Sequence, residues 1–73
     1  MSLDLLNENQ TAIIVGFNNP DKNLLKRLYD IGLRINSKIT VIKKNKKGVI
    51  IIALDGRLIA LSFELTIKIL VKV

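Results

Sequence analysis

The chain has 73 residues, 12 of them basic and 6 acidic, giving a net charge of +6, and it contains neither cysteine nor histidine. That length fits one small domain, able to bury about 60% of its unfolded surface. The missing residue types exclude disulfide staples, thiolate chemistry and imidazole acid–base or metal-ligand roles.

Leu3, Leu5 and Leu6, followed by the polar run Asn7-Glu8-Asn9-Gln10, read as a short lead-in that lays leucines over one end of the fold. Thr11 to Phe17 is β-branched and bounded by turn formers, so it reads as a strand, with Ile13, Val15 and Phe17 assigned to the core face. Asn18-Asn19-Pro20-Asp21 is a helix start: Asn19 is the expected N-cap, Pro20 the first helical residue, and Asp21 a complement to the positive helix end. Leu24, Leu25, Leu28 and Ile31 then form the apolar stripe of an amphipathic helix, with Lys22, Lys26, Arg27 and Asp30 on its other side. Gly32 should end this helix in the left-handed conformation that glycine adopts without steric cost.

Lys38 to Lys43 is the second strand, with Ile39 and Val41 inward and Lys38, Thr40 and Ile42 outward. Lys44-Asn45-Lys46-Lys47-Gly48 forms a charged hairpin loop, and Val49 to Leu54 is the third strand. Asp55-Gly56 is the strongest local signal, a two-residue type I′ turn that leads into a fourth strand over Arg57 to Ser62. That turn sets the register. Leu54 should face Arg57, Ile52 face Ile59, and Ile50 face Leu61 on the core side; Ala53 should face Leu58, Ile51 face Ala60, and Val49 face Ser62 on the outer side. Phe63 to Thr66 reads as a tight 3₁₀ turn and Ile67 to Val73 as the closing strand. Strands this short cannot make two large sheets, so their apolar faces must curl onto each other. The expected fold is mainly β: a single-domain, small SH3-like β-barrel of about five strands with one α-helix inserted after the first strand. Aliphatic burial alone should hold it, although two of the dispersed aromatics Phe17, Tyr29 and Phe63 are expected in the core.

The carboxylates Asp4, Glu8, Asp21, Asp30, Asp55 and Glu64 show no spacing that suggests a site, and there is no phosphate-cradling glycine loop. No catalysis, no cofactor and no metal site is therefore expected. The outer-side residues Val49, Ile51 and Leu58 are apolar where a half-exposed sheet alternates with polar residues. Three readings stay open for them: burial under another segment, self-association as a weak homo-oligomer, or docking of a foreign protein. The basic residues offer a separate alternative, nucleic-acid binding through the lysine hairpin Lys43, Lys44, Lys46 and Lys47. Against it, single-strand binders add aromatic stacking platforms, which this chain does not cluster. Met1 to Leu6 has no cationic region like that of a signal peptide. The longest nearly uninterrupted apolar run, Val49 to Leu54, is far shorter than the roughly 20 residues of a spanning helix. A cytoplasmic location is expected.

Several segments together resemble the FeoA family. Leu3 to Gln10 followed by Ala12 to Phe17 is similar to the family's opening. Arg27-Leu28-Tyr29-Asp30-Ile31-Gly32-Leu33 resembles its central signature, Gly56 to Leu61 its second signature, and Ile67 to Val71 its closing strand. Ile35-Asn36 stands where the family carries a proline–glycine turn, and Asn9 where a glycine is common; asparagine tolerates the left-handed conformation such turns use. The resemblance implies an SH3-like barrel acting as an accessory of ferrous iron uptake on FeoB, a membrane transporter with a cytoplasmic G-protein domain. Such a protein would be recruited to the inner face of the membrane by that partner. Related domains close iron-dependent repressors, where they make intramolecular protein contacts. Transition-metal binding also goes with the family, but this chain offers neither a soft nor an imidazole ligand for it. On this reading the docking residues are Val49, Ile51 and Leu58, with Lys26, Arg27 and Tyr29 on the helix.

Overall fold

A computed structural model describes all residues, Met1–Val73. The strands are β1 (Thr11–Phe17), β2 (Lys38–Lys44), β3 (Ile50–Leu54), β4 (Arg57–Leu61) and β5 (Ile69–Lys72). Helix α1 (Lys22–Ile31) follows β1, and the single turn α2 (Phe63–Thr66) joins β4 to β5. All neighbouring strands are antiparallel, in the order β4-β3-β2-β1-β5. Mainly β, with one helix of more than a turn placed after the first strand, this is the expected SH3-like architecture. The sheet curls around one core but is not hydrogen-bonded between β4 and β5, which are its two edges.

The local signals explain most of these elements. Asp55 and Gly56 have φ of 50° and 79°, the left-handed pair a type I′ turn requires. The five pairs expected from that turn within β3 and β4, from Leu54↔Arg57 to Ile50↔Leu61, are all present. Gly32 caps α1 with φ 103°, and its N–H reaches the Leu28 and Tyr29 carbonyls. Asn9 and Asn36, at 69° and 76°, take the left-handed turn positions where the family uses glycine.

Four expectations need correction. The N-cap is Asp21, not Asn19: the Asp21 carboxylate accepts from the Leu24 N–H at 2.7 Å, and Pro20 lies before the helix. Asn19 has φ 48°, which makes it a turn residue. The core face of β1 is Ala12 and Ile14, not Ile13 and Val15; Val15 is 48% exposed. The reason is a bulge. The β1–β5 register steps from Ile14↔Val71 to Gly16↔Leu70, leaving Val15 as the extra residue. That extra residue inverts the alternation, so Phe17 rather than Gly16 turns toward the core, where it is half-buried. The Phe63–Thr66 segment is an α-helical turn rather than a 3₁₀ turn, and it shortens the closing strand, leaving Ile67 as its C-cap. Finally, the fully buried core holds no aromatic side chain: its 15 residues are all Leu, Ile, Val or Ala, with Phe17 packed at its margin and Tyr29 and Phe63 exposed.

The leucine lead-in does cover the barrel. Leu3 and Leu6 are fully buried and Leu5 is exposed, with a 3₁₀ turn over Leu3–Leu5. Helix α1 enters the core through Leu28, its one buried residue, with Leu24 and Ile31 packed partly against the same cluster.

Candidate functional site

The surface carries three concavities, and the residues singled out from the sequence are divided among them. The most apolar is a groove of about 440 Å³ lined by Phe17, Leu25, Leu28, Tyr29, Leu33, Arg34 and Ile35. It is built where the bulged end of β1, the exposed margin of α1 and the turn after Gly32 converge. Leu25, Tyr29 and Ile35 are all exposed, so the groove presents open apolar surface rather than a sealed cavity. The Arg34 guanidinium carbon lies 4.1 Å from the centre of the Tyr29 ring, a cation–π stack that holds a planar charge against the groove wall.

Arg27 opens into a different cleft. It shares about 280 Å³ between α1 and α2 with Asp21, Asn23, Leu24, Glu64, Leu65 and Lys68, a mixed-charge lining. Val49 and Ile51, both half-buried, line a small dent of about 150 Å³ with Lys43 and Asn45. Leu58, 70% exposed, shares the outer face of the β3–β4 ladder with Ile51, opposite Ala53 and next to the Ile51↔Ala60 pair, but neither it nor Lys26 lines any of the three concavities. No single concavity gathers the six residues put forward for protein docking: Ile51 and Leu58 share the outer sheet face, while Arg27 and Tyr29 open into separate concavities beside α1. Tyr29 sits in the groove with partners the sequence reading did not propose: Phe17, Leu25 and Ile35. One signal was available for them, since Leu25 lies at the edge of the helix stripe and Ile35 stands in the variant turn after the glycine cap.

The lysine hairpin is likewise divided. Lys44 is committed to the fold: its Nζ donates to the Asp4 carbonyl at 2.8 Å and the Leu6 carbonyl at 2.9 Å, and its backbone N–H donates to Glu8 Oε2 at 3.2 Å. It thereby fastens the lead-in to β2 by satisfying carbonyls the short 3₁₀ turn leaves open. Asn45 organises the loop through its side-chain oxygen, which accepts from the Lys47 and Val49 N–H groups, both at 2.9 Å. Lys43, Lys46 and Lys47 remain as exposed cations.

The donor set does not fit a transition metal. No three of the carboxylates come together, and the chain has no histidine or cysteine to join them. No helix is long and apolar enough to cross a membrane.

Comparison with known proteins places this geometry in context. No curated protein matches the sequence. Among solved structures, that of an iron uptake regulatory protein, FeoA, aligns with a TM-score of 0.90 at 24% identity, over 99% of this chain and 95% of the other. The FeoA protein of Chlorobium tepidum aligns at 0.84 and 24% identity, over 97% of this chain and 68% of its own. A manganese-dependent transcriptional repressor aligns at 0.87 and 20% identity over 94% of this chain, which spans only 39% of the repressor's length. These likenesses show a shared SH3-like fold. The family model described as the FeoA domain matches residues 1–73, and the chain therefore belongs to the FeoA family, whose membership suggests a role in ferrous iron uptake or its regulation.

Proposed function

We propose that this protein is a non-catalytic cytoplasmic adaptor of ferrous iron uptake that binds the FeoB transporter, through its cytoplasmic part, and modulates transport. The observation that carries the reading is the open groove around Tyr29, whose lining is apolar except for the stacked Arg34. A rigid aromatic and an arginine beside aliphatic walls are the residue types that dominate protein–protein binding energy. Ferrous iron is the cargo of the partner on this reading. The net charge of +6 suits an acidic partner surface and raises the encounter rate with it.

The test is direct binding of the purified chain to the matching FeoB at near-physiological salt, with RNA as competitor. Saturable binding that Tyr29→Ala and Ile35→Lys weaken, and RNA leaves unchanged, is the expected result. Absence of FeoB binding, together with salt-sensitive RNA binding lost on substituting Lys43, Lys46 and Lys47, would replace the adaptor with the nucleic-acid alternative. Including Ile51→Lys tests the dent at Val49 and Ile51 as the docking face.

A further inference from the structure

The two edges of the sheet are treated differently. The edge at β5 is closed by the chain itself: Ser2 bridges Leu70, the Val71 N–H donates to the Met1 carbonyl at 2.7 Å, and the Met1 amino group donates to the Val71 carbonyl at 3.3 Å. The edge at β4 has no such cover. In the register set by the type I′ turn, Leu54↔Arg57, Ile52↔Ile59 and Ile50↔Leu61 are the pairs that exchange hydrogen bonds. Leu58 and Ala60 therefore aim their N–H and C=O groups away from β3. No strand pairs with β4 on that side, and neither residue makes another backbone or side-chain hydrogen bond. Natural edges are blunted by lysine, proline, a bulge or a covering segment. Within β4 the sequence is Arg57-Leu58-Ile59-Ala60-Leu61, regular in register and uncharged after its first residue. Its first four residues are exposed or half-exposed.

We propose that the β4 edge is a strand-addition site for an extended segment of a protein partner, with an apolar β-branched run preceded by acidic residues. The main-chain groups at Leu58 and Ala60 require an occupant in extended conformation. Exposed Leu58 supplies the side-chain contact on the outer face. Antiparallel addition, the more stable ladder, places the start of the incoming segment beside the end of β4. The lysine loop abuts that end: a Cβ on Gly48 would lie 3.0 Å from the Phe63 Cβ. Exposed Lys46 and Lys47, carried by that loop, give this end of β4 the positive charge that acidic residues at the start of the segment would complement. A second copy of the chain fits poorly. Two-fold pairing of β4 with itself would bring Arg57 toward the lysine loop of the other copy, in a pair of chains each carrying +6. A five-residue edge is also too small for the roughly 1,200 Å² that stable interfaces bury. The site is separate from the groove at Tyr29 and does not rest on the identity of the partner proposed above.

The test titrates the isotope-labelled chain with a synthetic peptide, two glutamates followed by alternating valine and threonine. Expected are amide shifts centred on Leu58 and Ala60 and slower hydrogen exchange at those two N–H groups. Binding should weaken at least tenfold when lysines replace the glutamates or when the peptide's protein-facing amides are N-methylated. The N-methylated peptide leaves the protein untouched, so its result does not depend on a variant folding. Ala60→Pro removes one outward N–H without taking a bond from the β3 ladder, and should weaken binding to a similar extent. No binding, shifts centred on Tyr29 and Ile35 instead, or indifference to N-methylation would overturn the proposal. A concentration-dependent dimer abolished by Ala60→Pro would overturn it in favour of a second copy.

Discussion

Truncating Leu28 should unfold much of what the helix contributes, and the neighbouring Leu25 provides an internal control. Leu28 is 1% exposed and is the only residue of α1 in the buried core, whereas Leu25 is 41% exposed. Leu→Ala removes about three methylene equivalents, worth about 2.4 kcal/mol of transfer free energy at full burial. At Leu28 a cavity term adds to this, although the adjoining groove lets the site relax, so Leu28→Ala should cost about 3 kcal/mol. At Leu25 the leaving atoms are already half in water and no cavity forms, so the loss should be about 1 kcal/mol, slightly reduced by alanine's better helix propensity. A chain of this length has a total stability of about 4–11 kcal/mol, so the Leu28 loss is a large part of it. Thermal unfolding should show a drop of about 12–24 °C for Leu28→Ala and about 4–8 °C for Leu25→Ala. Urea denaturation followed by circular dichroism gives the free energies directly. Equal losses for the two variants, or a loss at Leu28 below about 1 kcal/mol, would refute the view that α1 is anchored through that one side chain.

Three further outcomes follow from named contacts. Asp21→Ala removes the α1 cap and should cost about 1 kcal/mol in urea denaturation, with Asp21→Asn retaining most of the stability because the amide oxygen can still accept from Leu24. Lys44→Met deletes both ammonium bonds to the lead-in while keeping the apolar stem. On this exposed side chain the loss should be about 1 kcal/mol, and amide exchange at Leu5 and Leu6 should accelerate; unchanged exchange there would show that the lysine does not fasten the segment. Gly32→Ala places a Cβ at φ 103° and 2.7 Å from an Arg57 guanidinium nitrogen that donates to the Ile31 carbonyl. It should destabilise the chain by about 1–2 kcal/mol, measured by thermal melt, and Gly32→Asn should do less harm than Gly32→Ala.

The division between sequence and tertiary structure follows the range of the interactions. The Asp55-Gly56 turn and its register, the Gly32 cap, the apolar stripe of α1 and the inward faces of β2 and β3 were legible because their causes lie within a few residues. A turn needing positive φ, a helix period and a strand alternation are all local. The resemblance to FeoA was legible for the same reason, since it rests on short runs in a fixed order. The β1 face was not legible: its alternation pointed to the bulkier set, and only pairing with β5 created the bulge at Val15 that reverses it. Lys44 read as one cation among four because its partners lie at the other end of the chain, 38 and 40 residues away. The groove around Tyr29 and the uncovered edge of β4 were decided in the same way. A concavity exists only where separate elements converge, and an edge is free only when every other segment has taken its place elsewhere. No local pattern encodes either condition.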